Sequence, residues 1–227
     1  LRRKNARFVI CGNFPSRKED LAMRFDTQQI DATVIRLLLR WAAGHKLCVG
    51  AVDIKTAFLH ASLPSDMAVA VAPPKILTDL ALTPPGEFWV LERALYGLRI
   101  APRQWQAERD KVLTHMSWQL ASIPGPAGHR HLVQSTVDPS LWLLRDGCSS
   151  DDVEPIGLVG TCVDDLLSAM QAEELAAFLA ELAKHWSTSE PEVLLPGSGD
   201  TLKFLGITRD IITCNVPVLL SRLQSLH

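Results

Sequence analysis

No stretch of this 227-residue chain reaches the ~18 consecutive apolar residues that a membrane-crossing helix needs, although 47% of its residues are hydrophobic. No membrane association is therefore expected. A cysteine framework is missing too. The five cysteines (Cys11, Cys48, Cys148, Cys162, Cys214) are odd in number, scattered and never in a C-x-x-C pair. Neither a disulfide scaffold nor a zinc ribbon is indicated, and a reducing compartment fits best. Charge of one sign is also lacking: 23 Lys and Arg against 25 Asp and Glu leave a net charge of −2. There is no global basic footprint of the kind nucleic-acid binding usually leaves, although Arg2, Arg3, Lys4 and Arg7 make the first residues locally basic. The chain contains no H-E-x-x-H, G-x-x-x-x-G-K-[ST] or G-x-S-x-G, so zinc protease, P-loop nucleotidase and serine hydrolase lack their central residues. His129 and His131 form an H-x-H with no cysteine or acid at ligand spacing, and a solvated loop accounts for them. Internal repeats and low-complexity tracts are absent.

What is present is a set of acids in an unusual place. Asp53 ends the apolar run that starts at Cys48, and Asp164-Asp165 end the run that starts at Ile156. Each run reads as a buried strand, where an unpaired carboxylate costs several kcal/mol. Something cationic should sit there. Two divalent metals bridged by aspartates would supply that charge, and a two-metal site drives in-line displacement at phosphorus. Neighbouring strand positions point to opposite faces, so a tight turn is what lets Asp164 and Asp165 address one site.

The hydrophobic periodicity predicts the elements around these acids. A strand is expected over 7–11 and a helix over 30–43, capped by Thr27 or Asp31. The proline-rich stretch 64–86 reads as a loop with at most short extended pieces, followed by a strand over 88–91. A helix should run from Pro102 to about Trp118, then a loop over 125–131. Strands follow over 140–144 and 155–163, a third after the Asp164-Asp165 turn, a helix over 173–186, and a hairpin from 202–208 and 218–220. This order is that of a split β-α-β unit, an α+β fold with helices on one face of an antiparallel sheet. The length allows one large domain or two small ones. A start at Leu1, without methionine or an apolar leader, reads as an internal piece of a polyprotein or a broken gene copy.

Asp53-Ile54-Lys55-Thr56-Ala57-Phe58, Leu95-Tyr96-Gly97-Leu98-Arg99-Ile100-Ala101-Pro102-Arg103-Gln104-Trp105, Asp138-Pro139-Ser140-Leu141-Trp142, Val163-Asp164-Asp165-Leu166-Leu167 and Lys203-Phe204-Leu205-Gly206-Ile207 stand in this order. At these spacings the chain resembles the reverse transcriptase of copia-type LTR retrotransposons, from about Arg7 to Leu220. The resemblance implies a polymerase palm with partial fingers: 1–47 and about 60–95 fingers-like, 48–59 and 96–200 palm, 201–227 the start of a primer-grip hairpin. The thumb, RNase H and integrase of such a polyprotein are not in the sequence.

By the same resemblance Asp53, Asp164 and Asp165 are catalytic and hold two Mg2+ ions, with Mn2+ able to substitute. Arg7 corresponds to an arginine on the nucleotide phosphates, although the lysine usual two residues earlier is here Asn5. Amides near Thr56 and Ala57 hold triphosphate oxygens, and Phe58 stacks under the sugar and rejects a 2′-hydroxyl. A core phenylalanine accounts for Phe58 equally well. Tyr96 and Gly97 correspond to the loop lining the nucleotide pocket, with Gly97 permitting close backbone approach. Arg99 and Arg103 are candidates for template phosphates, Trp105 anchors its helix, and Cys162, Val163, Leu205 and Gly206 face the template-primer. For Leu205-Gly206 a plain strand with a glycine bulge is the alternative. Two departures stand out: Cys162 where the family mostly carries tyrosine, and Ile100 where glutamine is common.

The implied function is RNA- and DNA-directed DNA polymerisation. Its expected partners are an RNA or DNA template-primer, dNTPs and the remaining polyprotein parts, in the cytoplasm or in virus-like particles. The rival readings are an inactive retroelement remnant that binds nucleic acid or a partner chain, and a metal-dependent phosphohydrolase on the same carboxylates.

Overall fold

The structure, a computed structural model, describes residues 9, 10, 27, 29–148, 153–198, 201, 202, 204 and 205. The elements are α1 (Ala32–Gly44), β1 (Cys48–Asp53), α2 (Ala57–His60), β2 (Val69–Val71), α3 (Lys75–Asp79), β3 (Trp89–Leu91), α4 (Ala101–His115) and β4 (Ser117–Gln119). A 3-10 turn (Pro126–Gly128) leads into β5 (His129–Gln134), β6 (Leu141–Asp146), β7 (Gly157–Cys162), β8 (Asp165–Met170), α5 (Ala172–His185) and β9 (Glu192–Leu194). No helix among the described residues is long and apolar enough to cross a membrane. The chain forms two compact units, one of Leu1–Thr27 with Thr56–Arg109, the other of Gln28–Lys55 with Asp110–His227. Residues 28–47 fall in the unit with the strand that bears Asp53, and residues 96–109 fall in the other.

The second unit is built on a seven-stranded sheet in the order β4-β5-β6-β7-β8-β1-β9, with every pairing antiparallel. The α+β class is thus as expected. The placement of helices on one face is not. On one face Gly160 meets Ile30 and Leu38 at α1, and on the opposite face Gly50 meets Leu175 of α5. The physical reason lies in the central strands. Residues 48–52, all of β7 and residues 166–170 are buried without alternation, so both faces of the sheet need cover. Helix α1 brings Ile35, Leu38 and Ala42 against Val49, Ala51, Leu167 and Ala169. Asp31, not Thr27, caps it, its carboxylate accepting from the Thr33 N–H at 2.7 Å.

Helix α5 is secured on the other face by Phe178, whose ring lies 5.9 Å from that of Trp118, and by a buried ion pair in which Arg130 Nε donates to Glu174 Oε1 at 2.7 Å. That arginine explains one correction. β5 begins within the expected loop 125–131, because Arg130 occupies a core-facing position next to Leu132 and hides the apolar alternation. His129 and His131 therefore lie on a strand, their rings 6.1 Å apart. The helix expected to run to Trp118 ends at His115, and Trp118 is the buried centre of β4.

In the first unit the stretch expected as a loop carries β2, paired antiparallel with β3, and α3, which Pro74 precedes as its N-cap, the Leu77 N–H donating to the Pro74 carbonyl at 2.8 Å in the first turn. Most of the expected 7–11 strand and of the 202–208 and 218–220 hairpin lies outside the described residues; Val9, Ile10, Leu202, Phe204 and Leu205 carry no strand.

Removing Glu174 would leave Arg130 charged and unpaired in the core, so Glu174→Ala should lower stability by about 3–5 kcal/mol in urea unfolding, and Arg130→Met with Glu174→Leu should recover most of the loss.

Candidate active site

Asp53 is the last residue of β1 and Asp165 the first of β8, and the two stand directly opposite each other in the ladder, with Cys162 of β7 opposite Asp165 on its other side. The hairpin between β7 and β8 turns in two residues, Val163 and Asp164. Val163 sits at φ 51°, a left-handed conformation that a β-branched residue rarely adopts. The Ile54 N–H donates to the Asp164 carbonyl at 2.9 Å, so the turn is fastened to the chain leaving β1. The apolar runs thus end where the acids begin, at one edge of a buried ladder.

Asp53 and Asp165 line a cavity of about 270 Å³ together with Ser189, Glu190, Glu192 and Phe204. Burial, and then the charges of Asp164 and Asp53, push the Asp165 carboxyl up from 3.8 to about 6. Carboxylates are concentrated here, Asp53, Asp165, Glu190 and Glu192 all lining the one cavity. The donors are all hard oxygens, which suits Mg2+ or Mn2+. Among the described residues no group of three His, Cys, Asp or Glu is placed to hold a metal ion. An open site of one or two carboxylates completed by substrate phosphates is how Mg2+ is usually bound, so the residues fit that ion.

Ser189, Glu190 and Glu192 were not singled out by sequence reasoning. They reach the cavity through a register slip. Ile54 bridges Thr188, whereas Ala51 pairs with Glu192, so three residue steps on β1 face four on its partner. The extra residue makes a β-bulge, and Ser189 and Glu192 come to the face that carries Asp53. The proline at 191 inside a polar stretch is the only sequence sign of such an edge.

In the first unit the Phe58 and Tyr96 rings lie 4.7 Å apart at 58°. Thr56 holds φ 55° at the start of α2, and Ala57 is buried. Gly97 has φ 92°, and a Cβ there would come within 1.9 Å of the Ile10 carbonyl oxygen, while the Ile10 N–H donates to the Tyr96 carbonyl at 2.8 Å. The close approach expected at Gly97 is therefore made by the chain's own backbone. Arg99 and Arg103 are exposed, and Trp105 is fully buried. In the second unit Cys162 is buried in the core, with Val163 and Leu205 packed against the same cluster. Arg7 and Gly206 lie outside the described residues.

Residues 2–125 match the profile of the family described as reverse transcriptase (RNA-dependent DNA polymerase), more than half of the chain. Over 202 residues the chain is 30% identical to the retrovirus-related Pol polyprotein from transposon RE1 of Arabidopsis thaliana, an alignment covering 83% of this chain and 12% of that polyprotein. The chain thus spans about an eighth of the relative's length, 12% by alignment.

The raised Asp165 carboxyl has a sign for stability. Folding favours its protonated form, so this group's contribution is most favourable below 3.8 and is lost as pH rises through about 6. With chelator present, Asp165→Asn should raise stability near neutral pH by on the order of 2 kcal/mol, and the gain should vanish in melts below about pH 4.

Proposed function

Because the chain belongs to the reverse transcriptase (RNA-dependent DNA polymerase) family, we propose that it is the nucleotidyl-transfer core of a copia-type retrotransposon polymerase. It would extend a primer 3′-hydroxyl with dNTPs on an RNA or DNA template and release pyrophosphate. The observation that carries this reading is the pairing of Asp53 with Asp165 at the ends of two buried strands, on the wall of one cavity.

In this reading Asp53, Asp164 and Asp165 hold two magnesium ions. When bound, the ions supply activation of the attacking oxygen and charge neutralisation at phosphorus. The chain's own part is positioning. The β1–β8 ladder holds Asp53 against Asp165, and the bond from the Ile54 N–H to the Asp164 carbonyl holds the turn. Thr56 and Ala57 would offer amides to the triphosphate. Phe58, braced against Tyr96, would form the floor under the sugar. Arg99 and Arg103 are exposed cations suited to template phosphates. A longer polyprotein with thumb, RNase H and integrase, in a cytoplasmic setting, is proposed with it.

A second reading, a remnant that binds template-primer without extending it, is favoured by Cys162. Its small side chain is enclosed in the core at the position where the family mostly presents tyrosine.

The test is incorporation of dTTP on poly(rA)/oligo(dT) with Mg2+ or Mn2+. Extension by the native chain and a fall of at least about a hundredfold in Asp164→Asn is the expected result. Full activity in that variant sinks the assignment. Salt-dependent binding without extension supports the remnant, and dTTP hydrolysis without template indicates a phosphohydrolase. In an extending enzyme Phe58→Val should reduce discrimination between dTTP and UTP by at least about tenfold, measured as the ratio of kcat/KM values.

A further inference from the structure

We infer that Ser189 is a positioning residue for Asp53, holding the aspartate's backbone from the edge of the sheet that β8 does not reach. The inference rests on the metal-binding reading of the acidic cavity. The Asp53 N–H donates to the Ser189 hydroxyl at 3.0 Å, and the Ser189 N–H donates to the Asp53 carbonyl at 2.8 Å. One residue on, the Lys55 N–H donates to the Ser187 carbonyl at 2.9 Å. In a regular antiparallel pair the acceptor for the Asp53 amide would be the backbone carbonyl of the residue opposite. Here the chain is slipped by the bulge between Thr188 and Glu192, and a side-chain oxygen stands in for that carbonyl.

The chemistry at position 189 is therefore restricted. Serine or threonine supplies the acceptor, and alanine removes it without altering the backbone. On the β8 side the bond runs from the Ile54 N–H to the Asp164 carbonyl, so both backbone polar groups of Asp53 itself are directed at Ser189. Asp53 ends its strand, and the direction of its Cβ depends on a backbone fixed on both sides. Ser189 fixes the side that no strand residue covers, and it does so from the wall of the cavity it shares with Asp53 and Asp165. Groups that orient a metal ligand in this indirect way typically govern affinity by 10–100-fold without touching the ion.

The experiment is a Mn2+ titration of the 227-residue chain, followed by electron paramagnetic resonance, on native protein, Ser189→Ala, Ser189→Thr and Asp165→Asn, with thermal melts alongside. The expected result is that Ser189→Ala weakens Mn2+ binding about tenfold while Ser189→Thr keeps the native affinity and all melts stay cooperative. A role in folding alone would shift the melt and leave the affinity of the folded protein unchanged. Native affinity in Ser189→Ala, with binding lost in Asp165→Asn, overturns the role of Ser189 and leaves the acidic site standing. Native affinity in Asp165→Asn overturns the site itself, and the positioning role with it. Should Ser189→Ala lose its cooperative melt, Ser189→Cys, which retains only a weak acceptor, must bind Mn2+ more weakly than the native protein, by up to about tenfold; native affinity there overturns the inference.

Discussion

A slip of one residue between β1 and β8 would turn Asp53 and Asp165 to opposite faces of the sheet, and the acidic cavity would cease to exist. Everything at the site depends on that register. It is pinned at Gly50 of β1, and the register of β7 on β8 is pinned at Gly160 on the other face. Gly50 has no room for a side chain, because a Cβ would lie 2.8 Å from Leu175 Cδ1, and its carbonyl accepts from the Ser168 hydroxyl at 3.1 Å. On the other face Gly160 accommodates Ile30, whose Cδ1 would lie 2.4 Å from an added Cβ. Each helix thus fits over a glycine, one per face. A slipped strand would set a side chain where each helix needs none.

The edge of the sheet works by the opposite device. β9 runs in register with residues 49–51, then gains a residue, so the chain beside Asp53 is irregular where the chain beside Val49 is not. Irregularity at an edge blocks further strand addition and re-aims side chains. Here it sets Ser189 against Asp53 and adds Glu190 and Glu192 to a cavity that already holds two aspartates.

How much of this could be read from the sequence followed from how many constraints each element satisfied at once. The apolar runs ending in Asp53 and Asp164-Asp165 were legible because burial of both faces leaves no polar position until the strand ends. Helix α5 was legible from Leu175, Phe178 and Leu182, three buried residues at helical spacing. β5 was hidden by Arg130, whose burial is possible only because Glu174 is paired with it from α5. Trp118 stands two residues past Met116, off the helix face that Trp105, Arg109 and Met116 share, and that break in the period belongs to the alternation of β4. The single-face layout failed for a related reason: a continuous apolar strand announces burial but does not say how many layers cover it. Ser189 was invisible because its importance comes from a register slip, and register is a property of pairing, not of either strand.

The motif residues also show that one position can answer to two demands. Gly97 belongs to the Tyr-Gly pair of the family resemblance, yet the Ile10 backbone alone would exclude a side chain there. Its identity is dictated by packing before any ligand is considered. Asp165 is the converse case. Nothing in folding asks for a carboxylate whose ionisation is opposed by burial and by two neighbouring aspartates, and nothing in folding asks for valine at φ 51° in the adjoining turn. Local rules are broken together over Val163, Asp164 and Asp165, at the end of strands that pair without interruption from β7 through β8 to β1. Such clustering marks the place where the sequence answers to chemistry over stability. A cation bound there would reverse the sign of the Asp165 cost, because the same carboxylates that oppose folding when alone would then be the ones that gain from it.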